Sequence, residues 1–114
     1  AGATLSNSTI ADASATIASS ATSVLNTFDK TVARSAKYFI SISDATNSRF
    51  EIVEANVTHD GSDAYISTFG STTDYTSPLT TFSADVSGNN VRVLVTNISD
   101  DSLVFKFQRV AINV

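Results

Sequence analysis

R-S-A-K-Y-F-I-S-I-S, Arg34 to Ser43, and E-I-V-E-A-N-V-T-H-D-G-S-D-A-Y-I-S-T-F, Glu51 to Phe69, decide the fold of this chain. In the first, Tyr38, Ile40 and Ile42 share one face while Lys37, Phe39 and Ser41 share the other. That two-residue period predicts a strand with at least one buried face. In the second, Glu51–Thr58 and Asp63–Phe69 are rich in β-branched and aromatic residues, and His59, Asp60 and Gly61 lie between them. Gly adopts positive φ without steric cost and Asp tolerates it, so this is a hairpin turn.

Outward from this hairpin the same reading continues. Val24, Leu25 and Phe28 mark a first strand over Ser23–Asp29, and Asp44-Ala45-Thr46-Asn47 is a cluster of turn formers. Phe50 and Ile52 share one phase, then Val53, Ala55 and Val57 share the other. Such a switch predicts a β-bulge, or a strand buried on both faces. Gly70–Leu79 reads as a loop, because Pro78 cannot donate a ladder hydrogen bond. Thr80–Val86 and Val91–Thr96 are short strands around the turn Ser87-Gly88-Asn89-Asn90. After Ser99-Asp100-Asp101-Ser102 the last strand places Leu103, Phe105 and Phe107 in phase, then slips to Val110, Ile112 and Val114, again suggesting a bulge.

The expected architecture is all-β, an antiparallel β-sandwich of jelly-roll-like form with an extended N-terminal arm; a small closed barrel is the alternative. Residues 1–21 are Ala/Ser/Thr-rich, with Leu5, Ile10 and Ile17 as their larger apolar side chains. They are read as an arm laid on a neighbouring subunit in preference to a helix, since Ser and Thr compete for backbone hydrogen bonds. Residues 22–114 are read as the sandwich domain.

The chain has 114 residues, enough for one core, and 42% apolar residues, an ordinary globular share. Nearly three residues in ten are Ser or Thr, which suits exposed strand faces and polar turns. Seven scattered Lys and Arg and a net charge of −4 argue against nucleic acid as a partner. With no Cys there is no disulfide framework, thiol chemistry or Cys-based zinc site. No apolar run is long enough for a membrane helix, and the first residues lack the basic flank and apolar block of a secretory signal.

Candidate chemistry is sparse. His59 could join Asp60 and Asp63 on a metal, but a zinc site needs three or four ligands, and a turn-capping role is the simpler reading. Asp60, Asp63, Asp100 and Asp101 could collect calcium, yet none lies in an EF-hand pattern. Glu51 and Glu54 fall on opposite faces of a regular strand, unlike a glycosidase pair, and no G-x-S-x-G occurs. Asn7, Asn56 and Asn97 begin glycosylation-type triplets that so much Ser and Thr produces by chance. Lys37 and Lys106 with Asn97 and Asn113 raise an internal Lys–Asn link, against which a snorkelling surface lysine is preferred. Tyr65, Phe69 and Tyr75, near loops, are candidates for stacking on sugar rings. The expectation is therefore no catalytic residue, no metal and no cofactor.

From about Val24 to Val114 the chain resembles a domain of virion structural proteins from tailed phages of marine cyanobacteria and other marine bacteria. The resemblance is carried by R-S-A-K-Y at Arg34–Tyr38, H-D-G at His59–Gly61 with Glu54 before it, A-Y at Ala64-Tyr65, F-S-A-D-V-S-G at Phe82–Gly88 and N-V-R-V-L-V-T at Asn90–Thr96. It implies a non-enzymatic structural role on the virion surface, with capsid decoration of the phage head preferred over a neck, tail or fibre component or a carbohydrate-binding adhesin. Its partners would be a major capsid or tail protein and further copies of itself, a trimer among the forms considered, with neither nucleic acid nor membrane. Arg34 is expected to pair with an acidic residue, and Gly61 to serve the turn.

Overall fold

A computed structural model describes residues 2–73 and 78–114. Among them are nine strands and no helix: β1 (Gly2–Thr4), β2 (Ser8–Ile17), β3 (Thr22–Asp29), β4 (Ala33–Asp44), β5 (Arg49–His59), β6 (Ala64–Thr73), β7 (Thr80–Ser87), β8 (Asn90–Asn97) and β9 (Leu103–Asn113). They form two antiparallel sheets, six strands in the order β1-β2-β9-β4-β5-β6 and three in the order β3-β8-β7. This is the all-β antiparallel sandwich that the alternation of apolar residues predicts.

Tyr38, Ile40 and Ile42 of β4 are fully buried and share the core with Phe105 and Leu103 of β9 and with Val91, Val93 and Val95 of β8. Leu25 and Phe28 of β3 close it from the smaller sheet. Burying each large side chain contributes roughly 1.5–3 kcal/mol, so the stretch that organises the sequence also anchors the core. The Tyr38 and Phe107 rings meet tilted, 5.8 Å between centroids.

The segment expected as an arm on a neighbour is a strand of its own chain. Each residue of Ser8–Ile17 has a partner on β9, and Ile17 is buried in the common core. The physical reason is the edge of β9, whose backbone groups need a partner that small Ala, Ser and Thr side chains do not obstruct. At the opposite edge of the same sheet, β6 also runs further than expected. Gly70 adopts φ +64 beside a register shift opposite Ile52 and Glu54, and the strand continues to Thr73. The bulge bends the strand without ending it.

Two expectations of phase fail, and both failures matter below. β5 keeps one inward phase throughout, Glu51, Val53, Ala55, Val57 and His59, so Phe50 and Ile52 point outward. β9 likewise keeps Leu103, Phe105, Phe107, Arg109 and Ala111 inward, in unbroken register with β2. Val110 and Ile112 therefore face out. In each strand polar side chains take inward places that the sequence reading reserved for apolar ones.

Candidate interaction face

The inward polar side chains are held by partners from distant segments. Glu51 is 5% exposed, and its Oε1 accepts the Leu79 backbone N–H at 3.1 Å. Burial pushes its carboxyl pKa up from the ordinary value, against the lowering effect of the Leu79 bond. Arg109 donates from NH1 to Asn26 Oδ1 at 2.8 Å and to the Thr27 carbonyl at 3.1 Å, both on β3. The Tyr38 hydroxyl donates to the same Asn26 Oδ1 at 2.8 Å, and burial raises its pKa to about 12 against the opposing Arg109 charge. These bonds tie the two sheets across the core.

At the far end of the sandwich, buried Asn97 donates to the Ile17 and Asp101 carbonyls at 3.0 and 2.8 Å. Its Oδ1 accepts from the Ser99 N–H and hydroxyl. Burial there leaves Asn97 no room for a glycan, and its amide nitrogen is held by the Ile17 and Asp101 carbonyls. Nearby, Arg49 donates to Asp44 and Asp101, and Asn47 also donates to Asp101, which fastens two turns together. Burial would raise the Asp44 pKa, but the bonds from Arg49 and the turn backbone outweigh it and hold it below the usual carboxylate range.

The turn residues singled out in the sequence do meet. His59 Nδ1 accepts the Gly61 N–H at 3.0 Å, so the ring hydrogen sits on Nε2 and is donated to the Ala33 carbonyl 2.8 Å away. Asp60 Oδ1 accepts the Ser62 and Asp63 N–H groups, Gly61 sits at φ +96, and the Tyr65 hydroxyl reaches Asp60 Oδ2 at 3.2 Å. Arg34 donates to the His59 carbonyl at 3.1 Å, not to an acid. Among the described residues no group of three or more His, Asp or Glu side chains gathers as metal ligands. Tyr75 lies outside the described residues.

With Glu51 and Arg109 turned in, the outer face of the six-stranded sheet carries exposed apolar side chains among polar and charged ones. Phe39, Phe50, Ile52, Tyr65, Phe69, Val104 and Ile112 stand exposed on it, seven of the twelve large apolar side chains that do so among the described residues. Register across the strands places Asp12, Gln108, Phe39, Glu54 and Phe69 in one row, and Ser14, Lys106, Ser41 and Ile52 in the next. The Lys37 ammonium lies 5.1 Å over the Phe69 ring and 5.5 Å over the Phe39 ring, and 3.3 Å from Glu54. One shallow groove of this face, about 620 Å³, is lined by Lys37, Phe39, Tyr65, Val110 and Ile112. A second, lined by Asp12, Ile52 and Lys106, meets it at Phe39. Glu54 lies on this face and Glu51 in the core, so the two carboxylates do not share a cleft. Sequence reasoning missed the face because it assigned Phe50, Ile52, Val110 and Ile112 to the interior.

No family profile and no curated protein sequence matches the chain. Among solved structures, the tailspike protein of Acinetobacter baumannii phage AM24 is similar over 94% of this chain and 26% of its own length, at 9% identity and a TM-score of 0.52. The tailspike of Acinetobacter baumannii bacteriophage Fri1, described as a capsular polysaccharide depolymerase, matches over 98% of this chain and 19% of its own, at 17% identity and 0.48. The Acinetobacter phage vB_ApiP_P1 tailspike gives 91%, 21%, 16% and 0.47 in the same order. At these identities what is shared is the fold, and the chain spans about a quarter or less of each neighbour. Two expectations change. The neighbours are phage proteins, but of the tail and not of a marine host's phage head. The expectation of no enzymatic role is also corrected, since one neighbour is named as a depolymerase.

Proposed function

We propose that this chain is a β-sandwich module of a phage tail appendage of the tailspike or tail-fibre type, carried on the outside of the virion. The observation that supports this most is the likeness of the whole two-sheet fold to part of the AM24 tailspike, over 94% of the chain. Within the reading, the module's partners are other tail proteins, and action on a surface polysaccharide belongs to the longer appendage in which such a module sits. A role as capsid decoration is set aside, because the AM24 structure that supports the reading is a tailspike.

Immunogold electron microscopy of intact particles, with antibody raised against this chain, tests the reading. Gold along the tail or its appendages is the expected result, and gold spread over the head would overturn it. Release of reducing ends from host capsular polysaccharide by the purified appendage tests the activity separately.

A further inference from the structure

The two ends of this sandwich are fastened by different chemistry. At one end Arg49 donates to Asp44 at 2.9 and 2.6 Å, and Asn97 ties the turn before β9 to the end of β2. At the other end an imidazole takes that place. His59 is 4% exposed and closes the β5–β6 turn by accepting the Gly61 N–H on Nδ1. From Nε2 it donates to the Ala33 carbonyl at the start of β4, and the Phe28 ring of β3 lies 6.2 Å from it. Three strands and a turn are therefore joined through this ring.

Only the neutral ring fits these partners. A proton added at Nδ1 would set two N–H donors face to face across 3.0 Å. The surroundings offer the extra charge no relief. Lys30 donates to the Gly61 carbonyl at 2.8 Å and Arg34 to the His59 carbonyl at 3.1 Å, so two cations already grip the same turn. The nearby carboxylates are engaged elsewhere. Asp29 accepts from the Thr31 N–H and hydroxyl, and Asp60 from the Ser62 and Asp63 N–H groups and the Tyr65 hydroxyl. Asp63 is exposed to water. Among the described residues no carboxylate forms an ion pair with the ring. A buried cation left without a partner is costly.

We propose that His59 is an acid-sensitive latch: protonation of its ring releases the β5–β6 turn from β3 and β4 while the rest of the sandwich stays folded. Opening uncovers Phe28 and Ala33, which are 6% and 4% exposed while the latch is closed. The far end resists acid for a separate reason. Burial works against the Asp44 charge, yet the bonds from Arg49 and the turn backbone keep it ionised below the usual carboxylate range. Glu51, buried beneath the smaller sheet, is eased by taking up a proton. Mild acid thus acts at one end, as a local opening and not a global one.

Nitrogen-15 NMR of the full chain between about pH 7.5 and about pH 5 tests this, across the range in which an imidazole ordinarily takes up its proton. At the upper limit the ring nitrogens should report hydrogen on Nε2 alone. At the lower limit amide exchange at Gly61, corrected for its intrinsic pH dependence, should be about tenfold faster or more. Exchange at Asn97, whose N–H is bonded to the Ala21 carbonyl at the far end, should be unchanged. His59→Gln, which has no titrating group, should remove the response, with circular dichroism showing that it folds. The wild-type spectra suffice should the variant fail to fold. A ring that gains its proton while Gly61 stays protected would overturn the proposal. So would a ring that stays neutral until the whole chain unfolds, or the same acid response in folded His59→Gln.

Discussion

Glu51 and Ile52 are neighbours in sequence with exchanged environments: the carboxylate is 5% exposed in the core and the aliphatic side chain 49% exposed on the sheet face. The exchange holds because Glu51 fastens the start of the smaller sheet through the Leu79 N–H. A strand cannot turn one residue in without turning the next one out.

Glu51→Gln separates the bond from the charge. The raised pKa of Glu51 means that its ionised form is disfavoured in the fold. Its effect is therefore most favourable at low pH, and stability falls as pH rises from the ordinary value of 4.5 through the raised one. Glutamine keeps an oxygen for Leu79 and has no charge to bury. Urea unfolding at pH 4 and pH 7 should show that the variant has lost this decline and is more stable at pH 7 by about 1 kcal/mol. Glu51→Ala should instead cost about 1–3 kcal/mol by orphaning the Leu79 N–H.

Asn97→Ala should be among the most damaging single changes. It removes four hydrogen bonds that join the end of β2 to the turn before β9. The expected loss is about 2–4 kcal/mol, read as a lowered urea midpoint with an unchanged slope.

Tyr38 should ionise later than an ordinary phenol. With its pKa at about 12, absorbance at 295 nm should show a phenol still unionised after an unfolded chain has titrated fully, and Tyr38→Phe should remove that delayed step. A raised phenol pKa makes the fold lose stability as pH climbs past the ordinary value of 10.0. Tyr38→Phe abolishes that alkaline loss and costs about 1 kcal/mol at neutral pH, through the bond to Asn26.

Gly61→Ala tests backbone against space. No atom lies within 4 Å of the position a Cβ would occupy, so any loss comes from φ +96 alone. The expected cost is about 1–2 kcal/mol. Gly61→Asn should recover part of it, because asparagine tolerates positive φ better, and thermal unfolding of the two variants decides the order.

Much of the fold was legible in the sequence. The alternation of Tyr38, Ile40 and Ile42 and the chemistry of Asp60-Gly61 announced β4 and the β5–β6 hairpin, and Pro78 lay where no strand forms. β2 was not legible, since Ala, Ser and Thr carry little hydrophobic contrast and its strand character comes from pairing with β9. The exposed apolar side chains of the six-stranded sheet were hidden for the opposite reason. Phe50, Ile52, Val110 and Ile112 carry strong contrast of the wrong sign for an exterior.

Period-two alternation by itself determined that this chain makes short antiparallel strands stacked in two layers, because backbone pleating imposes that period whatever the surroundings. Which phase of each strand faces the core was decided only by tertiary structure. Leu79, Asn26 and Ala33 supply the hydrogen bonds that let Glu51, Arg109 and His59 lie inward. Those partners come from other strands and turns, and their arrival leaves the apolar neighbours outside, on the exposed face of the six-stranded sheet.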